Sequence, residues 1–105
     1  MGDLTNKHNL ISLAEGIVET CKTHDIGQFN GNSVRLRVME DVTANWHSHN
    51  NSDELFYVIS GEVHIDSEIG TQSLNANELY IVPAKMRYRA RVEGRAALLV
   101  IDSIK

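Results

Sequence analysis

Apolar positions along the chain follow two different periods. Leu10, Leu13, Ala14, Ile17, Val18 and Cys21 recur at spacings of three and four, which predicts one amphipathic helix over residues 9–22. Either Asn9 caps this helix, or Ser12 and Glu15 form a Ser-x-x-Glu capping box, so its start is open by about one turn. From Val34 the period shortens to two. Val34, Leu36 and Val38 alternate with Arg35 and Arg37 as a half-buried strand, followed by runs over 42–49 and 54–59. Ser60-Gly61 marks a turn before 62–66, Gly70-Thr71 another, and Asn75-Ala76-Asn77 a third before 79–82, which Pro83 ends. Residues 86–92 and 96–104 close the chain, separated by Glu93-Gly94. Seven or eight short strands at roughly ten-residue spacing after one helix predict an all-β antiparallel sandwich or barrel.

Composition narrows the class without naming a chemistry. At 105 residues the chain suits one domain, read as 9–105 behind a short flexible leader over 1–8. Hydrophobic residues at 42% and charged residues at 23% exclude a disordered profile. A net charge of −4 gives no electrostatic support for nucleic-acid binding. The one cysteine, Cys21, forms no internal disulfide and fits a reducing compartment. No apolar run reaches the length of a membrane span and no signal pattern opens the chain, so the expectation is a cytoplasmic protein without membrane partners.

Chemistry concentrates in Trp46-His47-Ser48-His49-Asn50-Asn51-Ser52-Asp53-Glu54. If His47 and His49 lie on a strand, alternation points both imidazoles to one face, and a turn over 50–53 brings Glu54 back beside them. Two imidazole nitrogens and one carboxylate converging on a point suit a divalent transition metal. The alternative is a pocket in which a His–Glu hydrogen bond only holds the barrel together. Phe56 and Val58 share parity with Glu54 and should line the interior. Asp53 and Trp46 have the opposite parity, which predicts a solvated Asp53 and a Trp46 packed on the helix or a partner subunit. Leu55, Tyr57 and Ile59 either face a second subunit or pack under the helix. Arg35, Arg37, Arg87, Arg89 and Arg91 read as outward residues, solvated or salt-bridged, or else as a basic patch for an anionic substrate or partner. His8, His24 and His64 read as ordinary surface residues, and Cys21 as a small core residue on the helix stripe. No nucleophile context, phosphate-binding loop or zinc-finger spacing is present.

The stretch from Trp46 to Gly61 resembles the first motif of the cupin superfamily: Gly, five residues, His-x-His, three or four residues, Glu, six residues, Gly. His47, His49, Glu54 and Gly61 match it, while Asp41 holds the leading Gly position. Residues 77–92 resemble the second motif in spacing and in Pro83. There Asn77 and Lys85 replace two glycines, Tyr88 stands at the histidine position and Val92 at the final Asn position. The resemblance spans roughly residues 30–104. It implies a double-stranded β-helix, the small jelly-roll barrel, with a metal at its mouth held by inward His, His and Glu side chains. Three of the four family ligands are present: His47, His49 and Glu54. Tyr88, in the fourth place, is read as a hydroxyl facing the substrate rather than as a direct ligand, able to donate a hydrogen bond or proton. The expectation is a small metal-binding cupin, with Mn, Fe, Ni or Zn, that binds or transforms a small polar molecule of sugar or organic-acid type. The alternative is a metal-free sensor or interaction module that uses the barrel pocket without catalysis. By resemblance the chain is expected to form a homodimer.

Overall fold

A computed structural model describes residues 7–104. Of the leader expected over 1–8, only Lys7 and His8 lie within the described residues, and both are exposed. The elements are α1 (Leu10–Glu15), β1 (Thr23–Phe29), β2 (Asn32–Thr43), β3 (Glu54–Ser60), β4 (Glu62–Ser67), β5 (Gly70–Asn75), β6 (Leu79–Val82) and β7 (Tyr88–Ser103).

The helix forms but is much shorter than its apolar spacing predicts. Asn9 is the cap, its side chain accepting a hydrogen bond from the Ser12 amide at 3.0 Å. The helix stops at Gly16, the C-cap, whose amide donates to the Ser12 and Leu13 carbonyls at 3.2 Å. The Arg95 guanidinium then donates to the carbonyls of Ala14 and Ile17 at 3.2 and 2.9 Å, a cation at the helix C-terminus. Val18 is consequently 91% exposed, and Cys21 lies beyond the helix in the left-handed region, half-buried rather than in the core.

Strand order in the larger sheet is β1-β2-β7-β3-β6, and β4 with β5 extends from the first half of β7. β1 is a strand that hydrophobic alternation does not reveal, since Gly27 and polar residues interrupt it. It pairs with β2 through an Asn30-Gly31 turn with φ of 49° and 77°, the left-handed pair that a two-residue hairpin requires. β2 and β7 are long, continuous strands where separate short ones are predicted. Asp41 is not a strand break but a bulge at φ 45°, and its Oδ1 accepts from the Gly94 amide at 2.7 Å. Register jumps from Glu40↔Arg95 to Val42↔Val92 at this point, so the two strands bend together and pass from one sheet into the other.

The main core lies between the two sheets and contains Met39, Phe56, Val58, Val63, Ile65, Tyr88, Val92, Leu98 and Val100. A second cluster on the convex side holds Ala14 of α1 against Leu36, Val38 and Ala97, with Ile59 and Leu99 beside them. Apolar side chains therefore occupy both faces of β2. Arg35 pairs with Val100 and Arg37 with Leu98, so both arginines share the concave face with Met39. This corrects the expectation that they point outward: Val34, Leu36 and Val38 take the convex face because α1 covers part of it.

Candidate metal centre

The imidazole-bearing segment is extended but is not the regular strand predicted over 42–49. β2 ends at Thr43, and the chain then runs along 85–90 through scattered bonds. His47 and Tyr88 exchange amide–carbonyl bonds at 3.0 and 2.9 Å as an isolated bridge, and the His49 carbonyl accepts from Lys85 N at 2.6 Å. The turn over 50–53 is tied to the same neighbour, because Asp53 Oδ1 accepts from Ala84 N at 2.8 Å. Asp53 is exposed as expected, yet it fixes the loop that returns the chain to Glu54.

These supports bring His47, His49 and Glu54 together, one ligand atom from each lying within 4.8 Å of the others. Their burial is graded: His47 is exposed, His49 half-buried and Glu54 6% exposed. The His47 Nδ1 lies 3.0 Å from the Asn45 carbonyl oxygen. A carbonyl can only accept, so Nδ1 carries the hydrogen and Nε2 keeps its lone pair, the tautomer that a metal ligand needs. His49 Nε2 lies 2.6 Å from Glu54 Oε1 and 3.2 Å from the Tyr88 hydroxyl. Nitrogen–nitrogen–carboxylate donor sets of this kind fit Mn, Fe, Ni or Zn better than Mg or Ca.

Tyr88 enters the barrel at the predicted place and is 1% exposed. Its hydroxyl donates to Glu54 Oε1, and its ring packs on His47 and Phe56 at 4.4 and 5.7 Å between centroids. Burial, then the bond to Glu54, pushes the phenol well above its ordinary range, so it stays a neutral hydroxyl. Phe56 and Val58 are core residues, as their parity predicts.

The other singled-out residues divide. Trp46 does not pack on α1: the Arg87 and Arg89 guanidinium groups lie over its ring at 5.5 and 4.8 Å. Asp66 is buried on the outer face of β4 and is shared by two of the arginines. Arg89 Nε and Arg91 Nε both bond its Oδ2, at 2.9 and 2.8 Å. Arg89 and Arg91 are therefore salt-bridged. The Arg91 hydrogen bond first, helped by Arg89 and Thr71, holds the Asp66 carboxyl well below the usual carboxylate range. Because its folded pKa is depressed, its stabilisation is present above the unfolded carboxylate pKa and is lost as pH falls toward the folded one. Asp66→Asn should cost about 1–2 kcal/mol at neutral pH and flatten the acid side of a melting-temperature profile. Wild-type and variant profiles that stay parallel from neutral pH to strong acid would refute this.

His64 and His24 are both half-buried rather than free at the surface: His64 Nδ1 lies 2.8 Å from Ser73 Oγ, and His24 lies beneath α1. The residues whose placement the sequence reading missed are Arg35, Arg37 and Asp102, all on the concave face. The usable signal was Met39: its parity is that of Arg35 and Arg37, and it is a core residue.

Compared with known proteins, residues 34–103 match the family model described as "Cupin domain". The uncharacterized protein YdbB of Bacillus subtilis (strain 168) is 32% identical over 100 residues, covering 94% of this chain and 88% of that protein. Among solved structures, a cupin-2 domain containing protein from Shewanella frigidimarina NCIMB 400 superposes with a TM-score of 0.89. Its identity is 22%, and the match covers 97% of this chain and 99% of that one. Protein NMB1881 from Neisseria meningitidis gives 0.81 at 23% identity, over 92% of this chain and 98% of that one. At such identities the structural likenesses bear on the fold, and they agree with the jelly-roll barrel.

Proposed function

Starting from the fact that the chain belongs to the cupin-domain family, we propose that it binds a divalent transition metal through His47, His49 and Glu54 and uses that centre to bind or transform a small polar molecule of sugar or organic-acid type. The convergence of three ligand atoms within 4.8 Å supports this most directly, since the His47 tautomer and the buried carboxylate both suit a cation. When bound, the metal would supply Lewis acidity toward a carbonyl or hydroxyl oxygen. The chain supplies the rest. Asn45 orients His47, the Asp53–Ala84 and His49–Lys85 bonds hold the loop, and Phe56 with the surrounding core keeps water from the inner side. Tyr88 holds its proton at the hydroxyl oxygen, positioned to orient Glu54 or to donate to a bound molecule.

Thermal-shift titration of chelator-stripped protein with Mn, Fe, Ni and Zn tests the proposal. A saturable rise in midpoint for at least one metal is expected, and none for any of them would sink it. Tyr88→Phe separates the roles of the phenol. If Tyr88 is not a ligand, the variant keeps metal stoichiometry and an affinity within about tenfold of wild type, while losing about 1–2 kcal/mol because Glu54 loses a donor. Loss of the metal in Tyr88→Phe would make the phenol a ligand instead. A second reading has its own support: Tyr88, His49 and Glu54 already satisfy one another by hydrogen bonds, as a metal-free ligand pocket would require.

We also propose a homodimer formed through the convex face beyond α1. Register aligns Ile81, Leu55, Ile101 and Val34 in one apolar row across four strands, with Leu79, Tyr57 and Leu99 in the next. Leu79 and Ile81 are 56% and 50% exposed, a cost that a second copy would remove. Sedimentation should show a dimer for wild type and a monomer for Ile81→Asp; a wild-type monomer at high micromolar concentration contradicts it. Within the described residues no helix is long and apolar enough to cross a membrane. A cytoplasmic location, consistent with the single unpaired cysteine, is part of the same proposal.

A further inference from the structure

Two guanidinium groups on the concave face of β2 are poorly satisfied by the protein itself. A guanidinium directed into an apolar barrel is unfavourable unless its N–H groups find acceptors. Arg35 has a partner, Asp102 Oδ1, at 2.6 Å from its Nη2. Arg37 has no carboxylate partner among the described residues. Its hydrogen bond, from Nη2 to the Cys21 carbonyl, is 3.5 Å long, at the outer limit for such a bond. The Nε of each arginine is shielded from solvent and meets no acceptor in the protein.

Beside Arg35 opens a cleft of about 500 Å³, lined by polar side chains that include Asp25, Gln28, Ser33, Arg35 and Asp102, and Arg37 stands two residues further along the same face of β2. This cleft reaches the strand row that carries the candidate metal centre's carboxylate. Asp102 stands directly opposite Glu54 in the β3–β7 register, so both side chains leave the sheet on the same face. On β2 the residue opposite Asp102 is Ser33, and Arg35 and Arg37 follow it on the same face. A small molecule with one end at the histidine pair therefore extends over arginine and aspartate rather than over apolar surface.

We propose that the molecule bound at the His47–His49–Glu54 centre is a hydroxylated organic acid, whose carboxylate is recognised by Arg37 with Arg35; this rests on the metal-centre reading above. A planar, singly charged carboxylate matches the guanidinium fork. Asp25 and Asp102 flank the same cleft and would repel a doubly charged phosphate, yet they accept hydrogen bonds from hydroxyl groups. A neutral sugar leaves Arg37 without its counter-charge. Arg37 is thus the specificity-determining residue, and Arg35, held by Asp102, is its weaker partner.

The test uses nickel-loaded, desalted protein and matched probes: the singly charged gluconate, glycerate and lactate against neutral glucitol. Each acid tested that fits the cleft should raise the melting midpoint saturably, and glucitol should not. Arg37→Met should weaken the best acid by about tenfold or more with unchanged nickel affinity, and Arg37→Lys should recover part of that loss. If Arg37→Met does not fold, Arg37→Gln and Arg37→Lys carry the comparison. Glucitol binding as well as the acids, no acid binding at millimolar concentration, or unchanged acid affinity in the Arg37 variants would each overturn the assignment. A nickel titration on the same samples separates the two ideas. Failure of wild type to take nickel counts against the metal centre, and acid titration of the metal-free protein then still reads the Arg37 charge.

Discussion

Gly61→Ala should unfold the protein or cost about 3 kcal/mol or more, the largest single effect on stability expected from one methyl group. Gly61 links β3 to β4 at φ 81°, and a Cβ there would stand 2.4 Å from the Arg95 carbonyl oxygen and 2.9 Å from Ala96 Cα. Neither obstacle is a flexible side chain; both belong to the backbone of β7 where it bends. To make room, β3 must move off β7, and these two strands carry Glu54 and Tyr88. Loss of the fold and loss of the candidate centre should therefore coincide. Gly94→Ala is the control, with a similar φ of 77° but nothing within 4 Å of the added carbon. It should cost only about 1–2 kcal/mol, the penalty of left-handed backbone alone. Equal denaturation midpoints for the two variants would show that the close approach to β7 is unimportant.

The second large effect is on metal affinity. His49→Ala and Glu54→Gln should each weaken divalent metal binding by about a hundredfold or more, because each removes a ligand from a three-residue set. Glu54→Gln is the sharper of the two. It keeps the shape of a side chain that is 6% exposed, and it can still accept from Tyr88, so folding should survive while the anionic ligand is gone. Competition titrations against a chromophoric chelator give the ratio. An affinity within a few-fold of wild type in Glu54→Gln would mean that any metal sits elsewhere.

The centre was legible in the sequence because its parts are local. His47 and His49 are two apart and Glu54 follows after one turn, so an extended segment and a turn are enough to bring the three candidate ligands near one another. Alternation puts Tyr88 on one face with Ala90 and Val92, and the resemblance to the second cupin motif turns that face inward, where all three are buried. Long-range geometry was harder. Asp41 and Gly94 looked like strand ends but are facing bulges, a distinction set by β2–β7 pairing across more than fifty residues. β1 carried a hairpin signal, Asn30-Gly31, although its own alternation was too weak to show a strand. The apolar side of β2 reads as the inner one, which turns Arg35 and Arg37 outward, whereas that side lies partly beneath α1.

The missing motif glycines also have a physical explanation. Asp41, Asn77 and Lys85, which stand at those positions, all keep a positive φ, of 45°, 70° and 72°. The backbone has retained the left-handed turns while changing the residue, and Asp and Asn tolerate that region better than most. Only at Gly61, where β7 lies against the missing side chain, is the glycine required for space as well as for φ.

X-ray absorption on protein reconstituted with a single equivalent of metal and then desalted tests the central claim most directly. The account predicts one retained metal ion per chain, with two imidazole nitrogens and at least one carboxylate oxygen in its coordination shell, and loss of that shell in Glu54→Gln. No retained metal, or a shell of water oxygens without imidazole, would contradict it.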